Sequence, residues 1–178
     1  MAKKKKTKKH SKEKPEILLD SSWILAYMNE KDFNHNAAIS SCGAILPYKP
    51  IFYIPSLVYL EVFSNLRRRK IPVKKCEKTL RDFWVKIDNR HQKSGPNKEG
   101  IIERYRIFSR VKISLLRPND FLIATEGMRL GAKILTLDLE MYKKVYKYYK
   151  YIYYLADHSK NKESDLPRLI SDILNIKN

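Results

Sequence analysis

The chain has 178 residues, 43% of them hydrophobic, which is enough for a substantial core and excludes general disorder. No apolar run approaches the roughly 18 residues that span a membrane, and the charged N-terminus has no apolar stretch resembling a secretory signal. The formal net charge of +18 predicts a polyanionic partner, most obviously nucleic acid.

The chain contains two cysteines, Cys42 and Cys76. Their spacing fits neither a zinc site nor a disulfide framework, so a reducing, intracellular and cytoplasmic location is expected. The four histidines have no partners at ligand spacing, so no competing metal site is expected from them.

Lysine is concentrated at the start of the chain, where residues 1–14 hold eight lysines and one glutamate. Such a block cannot collapse into a core, so residues 1–14 are predicted to form a disordered tail before one domain over residues 15–178. The tail suits either a solubilising or localisation segment or a non-specific phosphate-binding arm. Without it the body still carries about +11, which supports a nucleic-acid partner more strongly than the tail does.

Beyond Glu16, short apolar runs alternate with helical patterns, which predicts an α/β fold with a parallel sheet. Strands are predicted at residues 17–19, 51–54, 111–116, 133–137 and 151–155. Helices are predicted to follow the first strand through about Tyr27 and then at residues 33–46, 56–69, 73–89, 101–108, 120–130 and 166–174. Asn119 is expected to cap the helix from Asp120, Gly131 to end it, and residues 91–100 to form a mobile loop.

Three segments have a more specific composition. The helix over residues 56–69 is apolar almost all round in its first half, so it is expected to lie in the core. Residues 142–154 contain seven of the twelve tyrosines, interleaved with lysines. Packing of an amphipathic helix and an edge strand is favoured there over stacking on nucleic-acid bases. The amphipathic helix over residues 166–174 is expected to dock on the body or on a partner.

Four acids lie beside predicted buried strands or helices: Asp20, Glu61, Asp120 and Asp138. A carboxylate facing a core is costly without a cation or hydrogen-bond donors. Sites in open parallel sheets form at the carboxyl ends of the strands, where Asp20 and Asp138 lie and where the helix with Asp120 begins. Glu61, about two turns into the helix after the second strand, can reach the same edge. The sequence therefore predicts one acidic pocket.

Three of these acids also have a structural interpretation. Asp20 suits a helix cap, Asp120 the positive end of a helix dipole, and Asp138 a turn after a strand. Glu61 is harder to explain in this way, because it shares a helical stripe with Leu57 and Val58.

Ligands that are all oxygens favour a hard divalent ion, Mg²⁺ or Mn²⁺, over zinc. Such an ion activates water and stabilises charge on a phosphate during in-line displacement, so no protein nucleophile is needed. The chain has no evident Ser-His-Asp set, Walker phosphate loop or HExxH motif that would indicate another chemistry.

Four motifs, in order along the chain, resemble those of the PIN domain family: Leu-Leu-Asp20-Ser-Ser22, Ile-Pro-Ser-Leu-Val-Tyr-Leu-Glu61-Val, Arg-Pro-Asn-Asp120-Phe-Leu-Ile-Ala124 and Ile-Leu-Thr136-Leu-Asp138. The resemblance covers roughly residues 16–156. It implies a three-layer α/β/α sandwich around a central, mostly parallel sheet. It also implies a Mg²⁺- or Mn²⁺-dependent ribonuclease, a group that includes the toxins of VapBC toxin–antitoxin pairs.

By the same resemblance, the four acids would be catalytic and would hold the metal, while Ser22 and Thr136 would orient carboxylates or waters. Ordinary helix-start and strand-end roles suit these two hydroxyls equally well. Many family members have an aspartate two places after the fourth acid, whereas this chain has Glu140. The chain is also longer than a typical VapC toxin.

The leading expectation is therefore an endoribonuclease that hydrolyses RNA phosphodiester bonds with metal-activated water. A basic run at the end of the helix with Glu61 suits either RNA-backbone binding or simply a helix C-terminus: Arg67, Arg68, Arg69 and Lys70. The alternatives are a catalytically inactive PIN-like module that binds RNA or a ribonucleoprotein, and a VapC-type toxin. Expected partners are RNA and either an antitoxin or a second copy of the chain, with no membrane.

Overall fold

A computed structural model of the chain describes residues 14–68, 92–94, 116–156 and 164–174, together with Lys74, Lys78 and Arg81. Apart from Lys14, the predicted tail lies outside the described residues. The helix predicted at 101–108 also lies outside them, as do the helix at 73–89, except for the three single positions, and the strand at 111–116, except for Leu116.

The described part of the chain contains one sheet of five parallel strands in the order β3-β2-β1-β4-β5. The strands are β1 (Glu16–Leu19), β2 (Ile51–Pro55), β3 (Gln92–Ser94), β4 (Lys133–Thr136) and β5 (Ile152–Tyr154). Right-handed crossovers from β1 to β2 and from β4 to β5 move in opposite directions across the sheet, so their helices cover opposite faces. The predicted three-layer α/β/α sandwich is confirmed.

Six α-helices are described: α1 (Ser21–Met28), α2 (His35–Ile45), α3 (Ser56–Arg68), α4 (Pro118–Leu130), α5 (Leu139–Val145) and α6 (Leu166–Leu174). A short 3₁₀ helix, Leu46–Tyr48, follows α2. Among the described helices, none is long and apolar enough to cross a membrane.

The centre of the core is the strand β1. Ile17, Leu18 and Leu19 are consecutive and all fully buried, because parallel strands between two helical layers are covered on both faces. An unbroken apolar run is therefore the expected pattern for this strand. The next residue, Asp20, is the first polar side chain after the run and is itself buried.

The prediction that the first half of α3 lies wholly in the core is wrong. Val58, Val62 and Leu66 are buried, but Leu60 is 60% exposed. The buried residues recur every four positions, which is the one-sided pattern of a helix packed on a single face of a sheet. Apolar character all round the helix therefore did not indicate burial all round.

The start of α4 also differs from the prediction. Pro118 is its first residue and Arg117 occupies the capping position, so Asn119 is inside the helix and does not cap it. Proline suits a first helical position because its missing N–H has no partner there in any helix. The predicted end is confirmed, since Gly131 follows the helix with a left-handed φ of 65°.

The strand β3 lies inside the segment that was predicted to be a loop. Its three residues pair with β2, with Tyr53 opposite Gln92 and Pro55 opposite Ser94. A strand this short and polar has no alternating pattern to indicate it. Leu116, the described end of another predicted strand, is not part of the sheet.

The last helix, α6, docks on the chain's own body, against α2 and the edge strand β5. Two residues of its inner face, Leu169 and Ile173, are buried. Polar groups hold its start to the strand: the carboxylate of Asp165 accepts from Tyr154 N at 3.0 Å, and Arg168 donates to the carbonyl of Ile152 at 2.6 Å. Asp165 N also donates to the carbonyl of Tyr154 at 3.0 Å.

The closest approach between α4 and the sheet is at Gly127, and it gives a test of the packing. A Cβ there would lie 2.5 Å from side-chain atoms of Ile134, whereas a Cβ at Gly43 in α2 would meet nothing within 4 Å. Gly127→Ala is expected to lower the free energy of unfolding by about 1–3 kcal/mol through overpacking. Gly43→Ala should raise it by about 0.5–1 kcal/mol, because alanine favours a helix.

Urea denaturation of both variants measures this difference. Equal stability of Gly127→Ala and the wild type would contradict the close contact between α4 and β4.

Candidate active site

The site forms where the direction of the chain across the sheet reverses. The chain passes from β1 outward to β2 and β3, then returns to β4 on the other side of β1. The carboxyl ends of β1 and β4 therefore lie side by side, at the position where open α/β sheets form their binding crevices. Asp20 N donates to the carbonyl of Leu135 at 3.0 Å, which joins the two ends.

The buried carboxylate of Asp20 has a hydrogen-bond donor at each oxygen. Its Oδ1 accepts from Ser21 N at 2.8 Å, and its Oδ2 accepts from the hydroxyls of Ser22 and of Thr136, the latter at 2.9 Å. Burial raises the pKa of Asp20, and the charge of Glu61 raises it further, while these hydrogen bonds lower it.

Ser22 and Thr136 also bond the backbone after β4. Leu137 N donates to the Ser22 hydroxyl at 2.9 Å, and Asp138 N donates to the Thr136 hydroxyl at 2.9 Å. The two hydroxyl oxygens are 3.4 Å apart. Each hydroxyl therefore accepts from the β4 end and donates to Asp20, which fixes the orientation of that carboxylate.

Two of the four acids also cap helices, as the structural interpretation predicted for Asp20 but not for Asp138, which was expected in a turn. Asp20 occupies the capping position of α1, and Asp138 occupies that of α5, where its Oδ1 accepts from Met141 N at 2.9 Å. Capping uses only part of each carboxylate's capacity to accept hydrogen bonds, because a carboxylate can accept about four. Capping and metal binding are therefore compatible at both positions.

Asp120 and Glu61 complete the group. Asp120 lies in the first turn of α4 and Glu61 in the second turn of α3, and α3 and α4 are in contact. Neither carboxylate makes a side-chain hydrogen bond or ion pair with any residue in the described part of the chain. As far as the described residues go, both therefore have oxygens available to a ligand.

Electrostatic coupling indicates how close the four carboxylates are. Burial and then the negative charges of Asp138 and Asp20 raise the pKa of Asp120 to about 6, and Glu61 adds a smaller increase. Arg117, exposed before α4, opposes this rise. The charges of the other three predicted acids therefore all act on Asp120, which indicates that they lie near it at this edge of the sheet.

The donor set suits a hard divalent cation, since it is made of carboxylate oxygens whose mutual repulsion a cation would relieve. Across the described ranges, however, no three or more His, Cys, Asp or Glu side chains are already arranged to hold a metal ion. The carboxyl groups are thus neighbours without a closed cage, and their role as ligands stays a prediction.

The other predicted residues lie away from this pocket. Glu140 is on the surface of α5, where it pairs with Lys144 at 3.8 Å. Arg67 and Arg68 are exposed in the last turn of α3, about 10 Å along the helix from Glu61. Residues 69 and 70, the rest of that predicted basic run, lie outside the described residues.

Two residues near the acids were not predicted. Arg117, three positions before Asp120, lowers the pKa of that acid. This spacing brings side chains together on a helix, so the contact could have been predicted from the sequence. Tyr154, at the end of β5, lies near Asp138, and burial together with that charge raises the pKa of its phenol. No sequence signal indicated Tyr154, because its position depends on the pairing of β4 with β5.

The fold and site define a class: α/β/α sandwiches with an acidic cluster at the switch point of a parallel sheet. The sequence model of one family, described as the PIN domain, matches residues 17–147. The chain therefore belongs to the PIN domain family. No curated protein sequence matches the chain.

Two solved structures share the fold. The structure of VapBC2 from Rickettsia felis, bound to a DNA fragment from its promoter, matches with a TM-score of 0.55 and 14% identity, over 73% of this chain and 92% of that one. VapC20 of Mycobacterium tuberculosis, a toxin that cleaves the sarcin-ricin loop, matches with a TM-score of 0.52 and 15% identity, over 71% and 93%.

The first prediction for this site concerns Thr136, whose hydroxyl is buried between Asp20 and Asp138 N. Thr136→Val keeps the shape but removes one donor to a buried carboxylate and one acceptor from a backbone N–H. The free energy of unfolding is expected to fall by about 1–3 kcal/mol in urea denaturation. Thr136→Ser, which keeps the hydroxyl, is the matched control and should lose less.

The second prediction concerns the repulsion at Asp120. A carboxyl whose pKa is about 6 when folded and 3.8 when unfolded binds more protons in the folded state, so stability falls as pH rises from about 4 to about 6. Asp120→Asn should therefore stabilise the protein at pH 8 without divalent ions. Because Asp120 is partly exposed, we expect a gain on the order of 1 kcal/mol.

Thermal unfolding at pH 8 and near pH 4 measures this effect, since the gain should vanish at the lower pH. Glu30→Gln, at an exposed acid outside the pocket, controls for the removal of one negative charge from a basic protein. Equal shifts in both variants would contradict the proposed repulsion.

Proposed function

We propose that the protein is a divalent-metal-dependent endoribonuclease, with Asp20, Glu61, Asp120 and Asp138 as the metal-binding and catalytic acids. The observation that carries the proposal is that Asp20, Glu61 and Asp138 all lie near enough to Asp120 for their charges to raise its pKa, at the switch point of the sheet in a protein of net charge +18. Acidic side chains would bind a cation, and the basic surface around them would attract a polyanion. Membership of the PIN domain family supports the same function.

The chain's own residues have distinct tasks in this proposal. Asp20 is held rigid by Ser22 and Thr136, so it would present its remaining lone pairs in a fixed direction. Asp138 is held by its cap on α5, while Asp120 and Glu61, which have no partner among the described residues, would close around the ion. Mg²⁺ or Mn²⁺, when bound, lowers the pKa of a water and stabilises charge on the phosphate.

Arg117 is the nearest described candidate for binding substrate. It is exposed and close enough to Asp120 to lower its pKa. A guanidinium at this position would bind a phosphate of the RNA backbone and orient it towards the acids. Arg67 and Arg68 are further from the pocket and would add only longer-range attraction.

Cleavage of a labelled RNA with increasing Mn²⁺ or Mg²⁺ tests the proposal. Asp20→Asn and Asp120→Asn are each expected to reduce the cleavage rate by about 100-fold or more, because several kcal/mol of charge stabilisation would be lost. Mn²⁺ should also raise the melting temperature of the wild type but not of a double variant that combines Asp20→Asn and Asp120→Asn. Glu30→Gln is the matched control and should cleave normally.

Full metal-dependent cleavage by both single variants would refute the proposal. RNA binding without cleavage, and without any effect of Mn²⁺ on the melting temperature, would instead indicate a catalytically inactive binding module. Glu140→Gln in the same assay tests that residue, and we expect little change because Glu140 pairs with Lys144 on the surface.

A toxin of a toxin–antitoxin pair is the second candidate, favoured by the two VapC structures that share the fold. In that case an antitoxin would be the natural partner. Growth arrest on expression of the wild type, absent with Asp20→Asn, would support it.

A further inference from the structure

The segment after Asp138 has an unusual composition that the proposed function does not use. Residues 142–151 consist of five tyrosines, four lysines and one valine, with no acid. We call this segment the tyrosine–lysine strip. It comprises the end of α5 and the turn that leads to β5.

The strip continues the winding of α5 beyond the end of the helix. Tyr146 N donates to the carbonyl of Tyr142 at 2.9 Å, and Tyr149 N donates to that of Val145 at 2.9 Å. Four residues separate Lys143 from Lys147, and three separate Lys147 from Lys150. Because the winding continues, this spacing places the three lysines on one side.

Some tyrosines of the strip pack inward, as the sequence favoured. The Tyr149 hydroxyl donates to the carbonyl of Ala132 at 2.7 Å, which fastens the strip to the end of α4. Tyr148 and Tyr151, in contrast, are 47% and 51% exposed. Tyr151 also contacts the ring of Tyr149 at 5.6 Å and the ammonium of Lys133 at 5.7 Å, so packing covers part of its ring and leaves the rest exposed.

The positive charge of the strip is largely uncompensated. Lys144 pairs with Glu140, but Lys143, Lys147 and Lys150 are exposed and form no ion pair with any acid that the structure describes. The ammonium of Lys150 lies 3.9 Å from the ring centre of Tyr146. Three exposed lysines and two exposed tyrosines thus lie within ten residues of the chain.

The strip begins next to the acids. Tyr142 N donates to the carbonyl of Asp138 at 3.0 Å, one turn after that acid. The ring of Tyr142 lies 5.8 Å from that of Tyr154 and 5.3 Å from that of Tyr146, centre to centre. The strip therefore starts one helical turn from Asp138 and runs along α5 away from the acids, so a flank several nucleotides long would follow it.

We propose that the tyrosine–lysine strip binds the single-stranded RNA that flanks the cleavage position. This inference rests on the proposed function for its substrate. Lys143, Lys147 and Lys150 contact successive phosphates, and Tyr148 and Tyr151 offer faces on which bases stack whatever their sequence. The strip holds a flank of the substrate, while the acids act on the scissile phosphate.

A single-stranded nucleic acid suits this surface better than a membrane does. Surface helices that bind membranes insert aliphatic or large apolar side chains. The one aliphatic side chain of the strip, Val145, is buried. Exposed tyrosines beside unpaired lysines instead match the alternation of bases and phosphates.

The test measures the binding of full-length protein to a labelled single-stranded RNA of about 20 nucleotides in EDTA, where cleavage cannot occur. Lys143→Gln/Lys147→Gln/Lys150→Gln should weaken binding at least tenfold at low salt. It should also reduce the slope of log Kd against log salt by about 2, the value for three phosphate contacts to a single strand. The triple variant Lys31→Gln/Lys49→Gln/Lys74→Gln removes the same charge from exposed lysines outside the strip and should change both quantities much less.

The tyrosines are tested separately. Tyr148→Ala/Tyr151→Ala should weaken binding at least fivefold with an unchanged salt slope, and Tyr148→Phe/Tyr151→Phe should restore it, because a phenyl ring still stacks.

The strip's failure and the failure of the nuclease proposal are distinguishable. Cleavage of a diribonucleotide, too short to occupy the strip, should be unaffected by all these variants. Wild-type RNA affinity and salt slope in the strip's triple variant, or equal losses in the two triple variants, would overturn the inference. Unchanged RNA binding with lost binding to phosphatidylserine vesicles would overturn it in favour of a membrane surface.

Discussion

A buried carboxylate needs donors, and Asp20 receives them from both sides of the switch point. Ser22 comes from the start of α1 and Thr136 from the end of β4, and each hydroxyl also accepts a backbone N–H beyond β4. These bonds join two segments more than a hundred residues apart in sequence. Without these bonds, the charge of Asp20 would be buried between the ends of β1 and β4 with too few hydrogen-bond donors.

The same acids serve the fold and the site. Asp20 and Asp138 start α1 and α5, so the chain turns from strand to helix at the points where the pocket needs negative charge. Capping stabilises the helices, whereas burial and the neighbouring carboxylates disfavour the charged form of Asp120 and raise its pKa to about 6. Such opposition is typical of functional sites, where local stability is exchanged for reactivity.

Much of this arrangement could be predicted because its signals are local. The apolar run of β1 and the acids after β1 and β4 follow from burial on both faces of a parallel sheet. The features that were predicted wrongly depend on neighbours far away in sequence. β3 is a strand because β2 offers it hydrogen bonds, and Leu60 is exposed because α3 packs on one face only. The contacts around Tyr154 likewise required knowledge of which strand lies beside β4.

The docking of α6 has a consequence for self-association. β5 is the last strand of the sheet, and an open strand of this kind is a template on which another chain can add a strand. Here the outward carbonyl of Ile152 is already bonded to Arg168, and both outward backbone groups of Tyr154 are bonded to Asp165. The polar contacts of Asp165 and Arg168 at the start of α6 thus protect this edge strand from pairing with a strand of another chain, and so from edge-to-edge aggregation.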